Sequence, residues 1–105
     1  MLEVRQLSAS SLGRQRWSIS WQLISDEPLA IDSLWLPHSR FRAEEIDFSP
    51  PATPDTVDTP IFCDASPGEV IDNAFLILRA GRRRIFVRLR IEMSSFPRAV
   101  VEAIT

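Results

Sequence analysis

A chain of 105 residues, 45% hydrophobic and 25% charged, is long enough to bury one core and too short for two. It has no run of about 18 or more apolar residues, so no membrane-spanning helix is implied, and its one cysteine, Cys63, excludes an internal disulfide. The net charge is −2 and the pI about 5.3, far from the basic balance of a nucleic-acid-binding domain.

The start, MLEVRQLSAS, lacks a basic segment followed by an apolar one, so no secretory signal is visible. This suits a cytoplasmic location and equally suits a domain excised from an extracytoplasmic protein. Leu2 to Ser8 alternates roughly and reads as an edge strand, and Gly13 closes a turn. Arg14 to Ser25 is a strong strand, with Trp17, Ile19, Trp21 and Leu23 on one face and Ser18, Ser20 and Gln22 on the other. The two Trp belong in the core. Asp26-Glu27-Pro28 is a turn, and Leu29 to Leu36 is a third strand stopped by Pro37. Arg40 to Phe48 reads as a fourth strand: Phe41 and Ala43 share one parity, Ile46 and Phe48 the other. A bulge near Glu44-Glu45, or a short helical turn, reconciles the halves.

Ser49 to Pro60 carries four of the eight prolines, which excludes a central strand and suggests a crossover between sheets, extended along an edge. Ile61 to Ala65 is a short strand, and Ser66-Pro67-Gly68 is a turn. Glu69 to Met93 is then one long hairpin. Ile85, Val87, Leu89, Ile91 and Met93 alternate with Phe86, Arg88, Arg90 and Glu92, the mark of one dry and one polar face. Val70 to Leu78 is apolar on both faces, as in a central strand covered on both sides. A type II′ turn at Gly81-Arg82 pairs Leu78 with Ile85, Leu76 with Val87 and Ala74 with Leu89, and sets Arg79 opposite Arg84. The same register places Asn73 opposite Arg90 and puts Asp72 on the face of Ala74 and Leu76. The tail RAVVEAIT fits a last strand or a short helix from Pro97, with strand or extended chain preferred.

Seven short strands, with turns every 8–12 residues and one long crossover, indicate an all-β, antiparallel Greek-key β-sandwich in a single domain over 1–105, with its core strands within 2–93. A small barrel of the OB type is the alternative. The order of elements over roughly residues 2–93, with PGEVIDNAFLIL leading into the last hairpin, resembles an immunoglobulin-like or fibronectin-III-like sandwich of bacterial type. The resemblance is one of pattern; the chain has neither a cysteine pair nor any Tyr.

Charge is segregated along the chain. Residues 43–78 hold eight acidic residues and no basic one, and residues 79–90 hold six Arg and no acid. The simplest expectation is that the two lie close together in the fold. His38 is the only histidine and lies in a turn, no G-x-S-x-G elbow is present, and one His plus one Cys cannot fill a zinc site. Asp55, Asp58, Asp64, Glu69 and Asp72 match no calcium-loop spacing. No catalytic residue, metal or cofactor is expected. What remains is one hairpin face, Ile71, Phe75, Ile77 and Phe86 flanked by Arg84, Arg88 and Arg90. These residue types are enriched at protein interfaces. The expected function is a protein-interaction or self-assembly module using this face. The alternative is single-strand nucleic-acid binding by the same arginines and aromatics.

Overall fold

The computed structural model describes residues 2–105, the side chain of Phe41 excepted, so the alternation expected at that position lies outside the described residues. Nine strands follow one another in the described residues: β1 (Leu2–Gly13), β2 (Arg16–Ser25), β3 (Ile31–Trp35), β4 (Phe41–Arg42), β5 (Ile46–Ala52), β6 (Thr56–Cys63), β7 (Val70–Ala80), β8 (Arg83–Met93) and β9 (Pro97–Ile104). They form two antiparallel sheets, one ordered β1-β2-β6-β4 and the other β5-β3-β7-β8-β9. The inner faces share one apolar cluster. The four-stranded sheet supplies Val4, Ile19, Trp21, Val57 and Ile61, and the five-stranded sheet supplies Leu34, Leu76, Leu78, Val87 and Leu89. The result is a sandwich-like all-β fold. Among the described residues no ladder joins the sheets into a single barrel.

Period-two patterning decides which side of each strand faces the core. In β2, Ile19, Trp21 and Leu23 are buried and Trp17 packs against them. Trp21 brings a polar N–H into this layer, and its Nε1 donates to Thr59 Oγ1 at 2.9 Å, in a side chain that is itself buried. An unpaired donor at this depth would cost about 1–3 kcal/mol. In β8 the row from Ile85 to Met93 is buried, and in β7 Leu78, Leu76 and Ala74 lie opposite Ile85, Val87 and Leu89 as expected. Gly81 has φ +63° and Arg82 has no positive φ, which fits glycine at the first loop position of a II′ turn. The Asp32 carboxylate accepts the Gly81 N–H at 2.6 Å and braces the tip from β3.

Below Ala74 the register changes. Ile71 pairs with Ile91 and Val70 with Glu92, one residue out of step with the upper hairpin. Asp72 and Asn73 form a bulge, with Asn73 in the left-handed region at φ +57°. Three expectations are corrected by it. Asn73 does not pair with Arg90, Asp72 is exposed rather than on the inner face, and Ile71 is buried in the core. Strict alternation along β7 holds down to Ala74, and the bulge reverses it below.

The Arg40–Phe48 segment is also corrected. It is two strands in different sheets: β4 pairs with β6, β5 pairs with β3, and Ala43 to Glu45 cross between them. The parity change seen in the sequence is a change of sheet. The Pro-rich stretch does cross from one sheet to the other, but the crossover itself is only residues 53–55. Pro50 and Pro51 lie in β5 at a sheet edge, and the short strand expected at Ile61–Ala65 is the end of β6. The tail is a full strand, β9, so the five-stranded sheet extends beyond residue 93 and the count is nine rather than seven. β7 is central within its sheet, but only one of its faces is covered; Phe75 and Ile77 on the other are half-exposed.

On one side the sandwich is closed by a side chain. Gln6 of β1 donates from Nε2 to the Pro97 carbonyl at 2.9 Å and accepts the Ala99 N–H at Oε1 at 2.6 Å. It occupies the free edge of β9 as a neighbouring strand's peptide group would.

The bulge gives a direct test. Asn73→Gly retains stability, whereas Asn73→Val, a β-branched residue forced to positive φ, lowers it by about 1–2 kcal/mol or more in urea unfolding.

Candidate interaction surface

The outer face of the five-stranded sheet is built from residues alternating with the buried rows. Cross-strand register aligns Trp35 of β3, Ile77 of β7 and Phe86 of β8 in one row, and Phe75 and Arg88 in the next. Trp35 and Phe86 are each 38% exposed, and Phe75 meets Phe86 edge to face, with centroids 6.3 Å apart and planes at 88°. Such a contact holds both rings in place before any partner arrives. The Trp35 indole lies toward the sheet edge, its Nε1 donating to the Ala43 carbonyl at 3.1 Å.

Six of the seven residues expected on this face are there. Phe75, Ile77, Phe86, Arg84, Arg88 and Arg90 point outward, whereas Ile71 points into the core and its place is taken by Val70, 51% exposed. Trp35 was missed. Its parity relative to Leu34 and Leu36, both buried, carried the signal. Recognising it also required the pairing of β3 with β7, which the sequence does not display.

The charges toward β9 are locally compensated. Glu102 of β9 lies 3.7 Å from Arg88 and 3.8 Å from Arg90, and Glu92 lies 3.4 Å from Arg90 and 2.6 Å from Arg98. Arg90 Nε is shielded from solvent, yet it makes no hydrogen bond with the nearby Glu92 oxygen. Among the described residues no ion pair joins the acidic stretch 43–78 to the arginines 79–90. Glu69 and Asp64 pair instead with Arg40, at 2.6 and 3.7 Å. The expected match between the acidic middle and the basic hairpin does not form. Arg79 and Arg84 sit directly opposite each other, as expected, and with Arg82 and Arg83 they form a tip with no ion pair among the described residues.

The remaining reactive side chains have structural surroundings. Arg40 N–H donates to His38 Nδ1 at 3.0 Å, so the ring proton is assigned to Nε2, which lies 3.1 Å from the Asp72 carbonyl and donates to it. His38 thereby ties the β3–β4 loop to the bulge. Cys63 is buried, and burial pushes its thiol up from the ordinary value. Asp58 accepts from Ser20 Oγ at 2.5 Å. Among the described residues no group of three or more His, Cys, Asp or Glu is placed to hold a metal ion, and no helix is long and apolar enough to cross a membrane.

Two carboxyls are held below their ordinary value: Glu92 by the hydrogen bond from Arg98, and Glu69 by the hydrogen bond from Arg40. A folded-state value below the unfolded one means that the stabilisation is complete above the unfolded Glu value of about 4.3. It is lost as pH falls through the lower folded value. The urea midpoint therefore declines on acidification below about pH 5, and Arg98→Gln and Arg40→Gln each flatten that decline. Cys63 resists a thiol reagent at pH 8 in the native chain and reacts stoichiometrically in denaturant.

In comparisons with protein-family models, with curated proteins and with solved structures, nothing matches this chain.

Proposed function

We propose that this chain is a non-enzymatic protein-interaction or assembly module, a Greek-key sandwich of immunoglobulin-like type that binds through the outer face of β7 and β8. One observation carries the reading. The row Trp35–Ile77–Phe86, with Phe75 beside it, lies uncovered at the centre of a sheet face on which Arg88 and Arg90 pair with Glu102 and Glu92. An apolar centre with a polar rim is how protein–protein interfaces are organised. The body measures 37 × 25 × 22 Å, so one sheet face is of the order of the roughly 800 Å² per partner that a standard interface buries. The backbone hydrogen bonds of His38 and the burial of Cys63 support a non-enzymatic role, and a cytoplasmic location is part of the proposal. The partner is a second copy of this chain or a separate protein.

A second reading has one observation in its favour. Arg79, Arg82, Arg83 and Arg84 at the hairpin tip are without ion pairs among the described residues, and such a tip attracts a polyanion such as nucleic acid. Against it, Arg88 and Arg90, needed to extend the basic track along the face, are occupied by Glu102 and Glu92.

Light scattering across a concentration series, with wild type and Phe86→Asp side by side, tests the first reading. A wild-type dimer that dissociates at least tenfold more readily in Phe86→Asp, with unchanged circular dichroism and stability within about 1 kcal/mol, is the expected outcome for self-assembly. A monomer at all concentrations moves the partner to a separate protein. Binding of an oligonucleotide that weakens steeply with salt, and survives Phe86→Asp, supports the second reading instead.

A further inference from the structure

The opposite face of the molecule carries a second arrangement of arginine and aromatic side chains. Arg16 of β2, Phe62 of β6 and Arg42 of β4 are direct cross-strand neighbours in one row on the outer face of the four-stranded sheet. Phe62 is 37% exposed, and the Arg42 guanidinium lies 5.9 Å from its ring centroid. With Leu12, 49% exposed, and Pro60, these residues line an open groove of about 540 Å³. Glu44 also borders it, yet among the described residues neither Arg16 nor Arg42 makes an ion pair.

This differs from the hairpin face, where Arg88 and Arg90 are paired with glutamates in the same sheet. The Arg42 guanidinium lies within cation–π range of Phe62, and with no ion pair among the described residues to occupy it, its planar fork of N–H donors suits bidentate binding of a carboxylate. Strands stand about 4.8 Å apart, so Arg16 and Arg42 arise about 10 Å apart, with the Phe62 ring between them. An extended peptide rises about 3.4 Å per residue and turns every second side chain to the same face. In an acidic-x-apolar-x-acidic stretch both acids and the apolar residue therefore face the groove, the acids about 14 Å apart at the backbone and able to reach inward to the two arginines.

We propose that this groove binds an acidic segment of a partner protein, an extended stretch in which carboxylates stand two positions before and two positions after an apolar or aromatic residue. The carboxylates engage Arg16 and Arg42, and the central residue packs on Phe62, Leu12 and Pro60. The site is separate from the β7–β8 face and does not depend on it. The complement is an acidic peptide rather than a nucleic acid because the arginines are two isolated forks in a chain of net charge −2, with no continuous basic track between them.

The test is amide chemical-shift mapping on the full chain with the capped pentapeptide acetyl-Glu-Ser-Phe-Ser-Glu-amide. The Phe86→Asp variant is run in parallel so that self-association at the hairpin does not intrude. Saturable shifts at Arg16, Arg42, Phe62 and Leu12 are expected in both proteins. The neutral analogue acetyl-Gln-Ser-Phe-Ser-Gln-amide binds at least about fivefold more weakly, as the loss of two solvent-accessible charge pairs implies. Arg42→Gln and Phe62→Ala, both at exposed positions, each remove the preference or the binding while the spectrum stays folded. Any of three results overturns the proposal: equal response to the two peptides, shifts absent or located on the β7–β8 face, or tighter binding of an oligothymidylate than of the acidic peptide.

Discussion

Along β8 the side chains of Ile85, Val87, Leu89, Ile91 and Met93 face the four-stranded sheet and keep water out of the layer between the two sheets. Each contributes about 1.5–3 kcal/mol by its burial, and a one-residue slip would expose all five at once. The other elements accommodate this row. β7 must present Leu78, Leu76, Ala74 and Ile71 to the same layer, but strict alternation from Ala74 would turn Asp72 inward and Ile71 outward. Holding Asn73 at positive φ costs about 1–2 kcal/mol. Burying an unpartnered carboxylate and exposing an isoleucine costs more. The bulge is the cheaper solution, and the His38 ring fastens it by binding the Asp72 carbonyl.

The same row explains what could be read from the residues and what could not. Arg16–Ser25 and Arg84–Met93 are each long enough for alternation to fix the inner face, and one glycine between two apolar runs fixed the pairing near the tip. A parity change, by contrast, has two physical causes that look alike in a string of letters. At Glu44-Glu45 it marks a change of sheet, and at Asp72-Asn73 it marks a bulge within one strand. Asn73, a residue tolerant of the left-handed region, was the only local hint of the second. Trp35 shows another limit. Its outward orientation follows from its neighbours, but its place beside Ile77 and Phe86 depends on which strands adjoin, and that is settled by packing over the whole chain.

Charge segregation along the sequence persists in space only at the hairpin tip. Arg88 and Arg90 find Glu102 one strand away, and Glu69 and Asp64 of the acidic stretch are served by Arg40 from a loop. Screening shortens the reach of exposed charges to about 8–10 Å, so adjacency in the sheet counts for more than the sign of a distant block. The two outer faces consequently differ in character. The five-stranded face has an apolar centre beside the paired Arg88 and Arg90, while the four-stranded face presents Ser8, Ser10, Ser18 and Ser20 and carries Arg16, Phe62 and Arg42 in one row at one end.

Open sheet edges invite pairing with other chains. Here the edge strand β4 is only two residues long and the edge strand β5 carries Pro50 and Pro51, each a poor template for a foreign strand. The edge of β9 has no such protection in its own sequence, since AVVEAI is apolar, rich in β-branched residues and free of proline after Pro97. Its guard is the carboxamide of Gln6, bonded to Pro97 and Ala99. A single neutral side chain therefore occupies the start of the β9 edge where a foreign strand would otherwise pair, and a substitution there would bear on fibre formation even where the core remained intact.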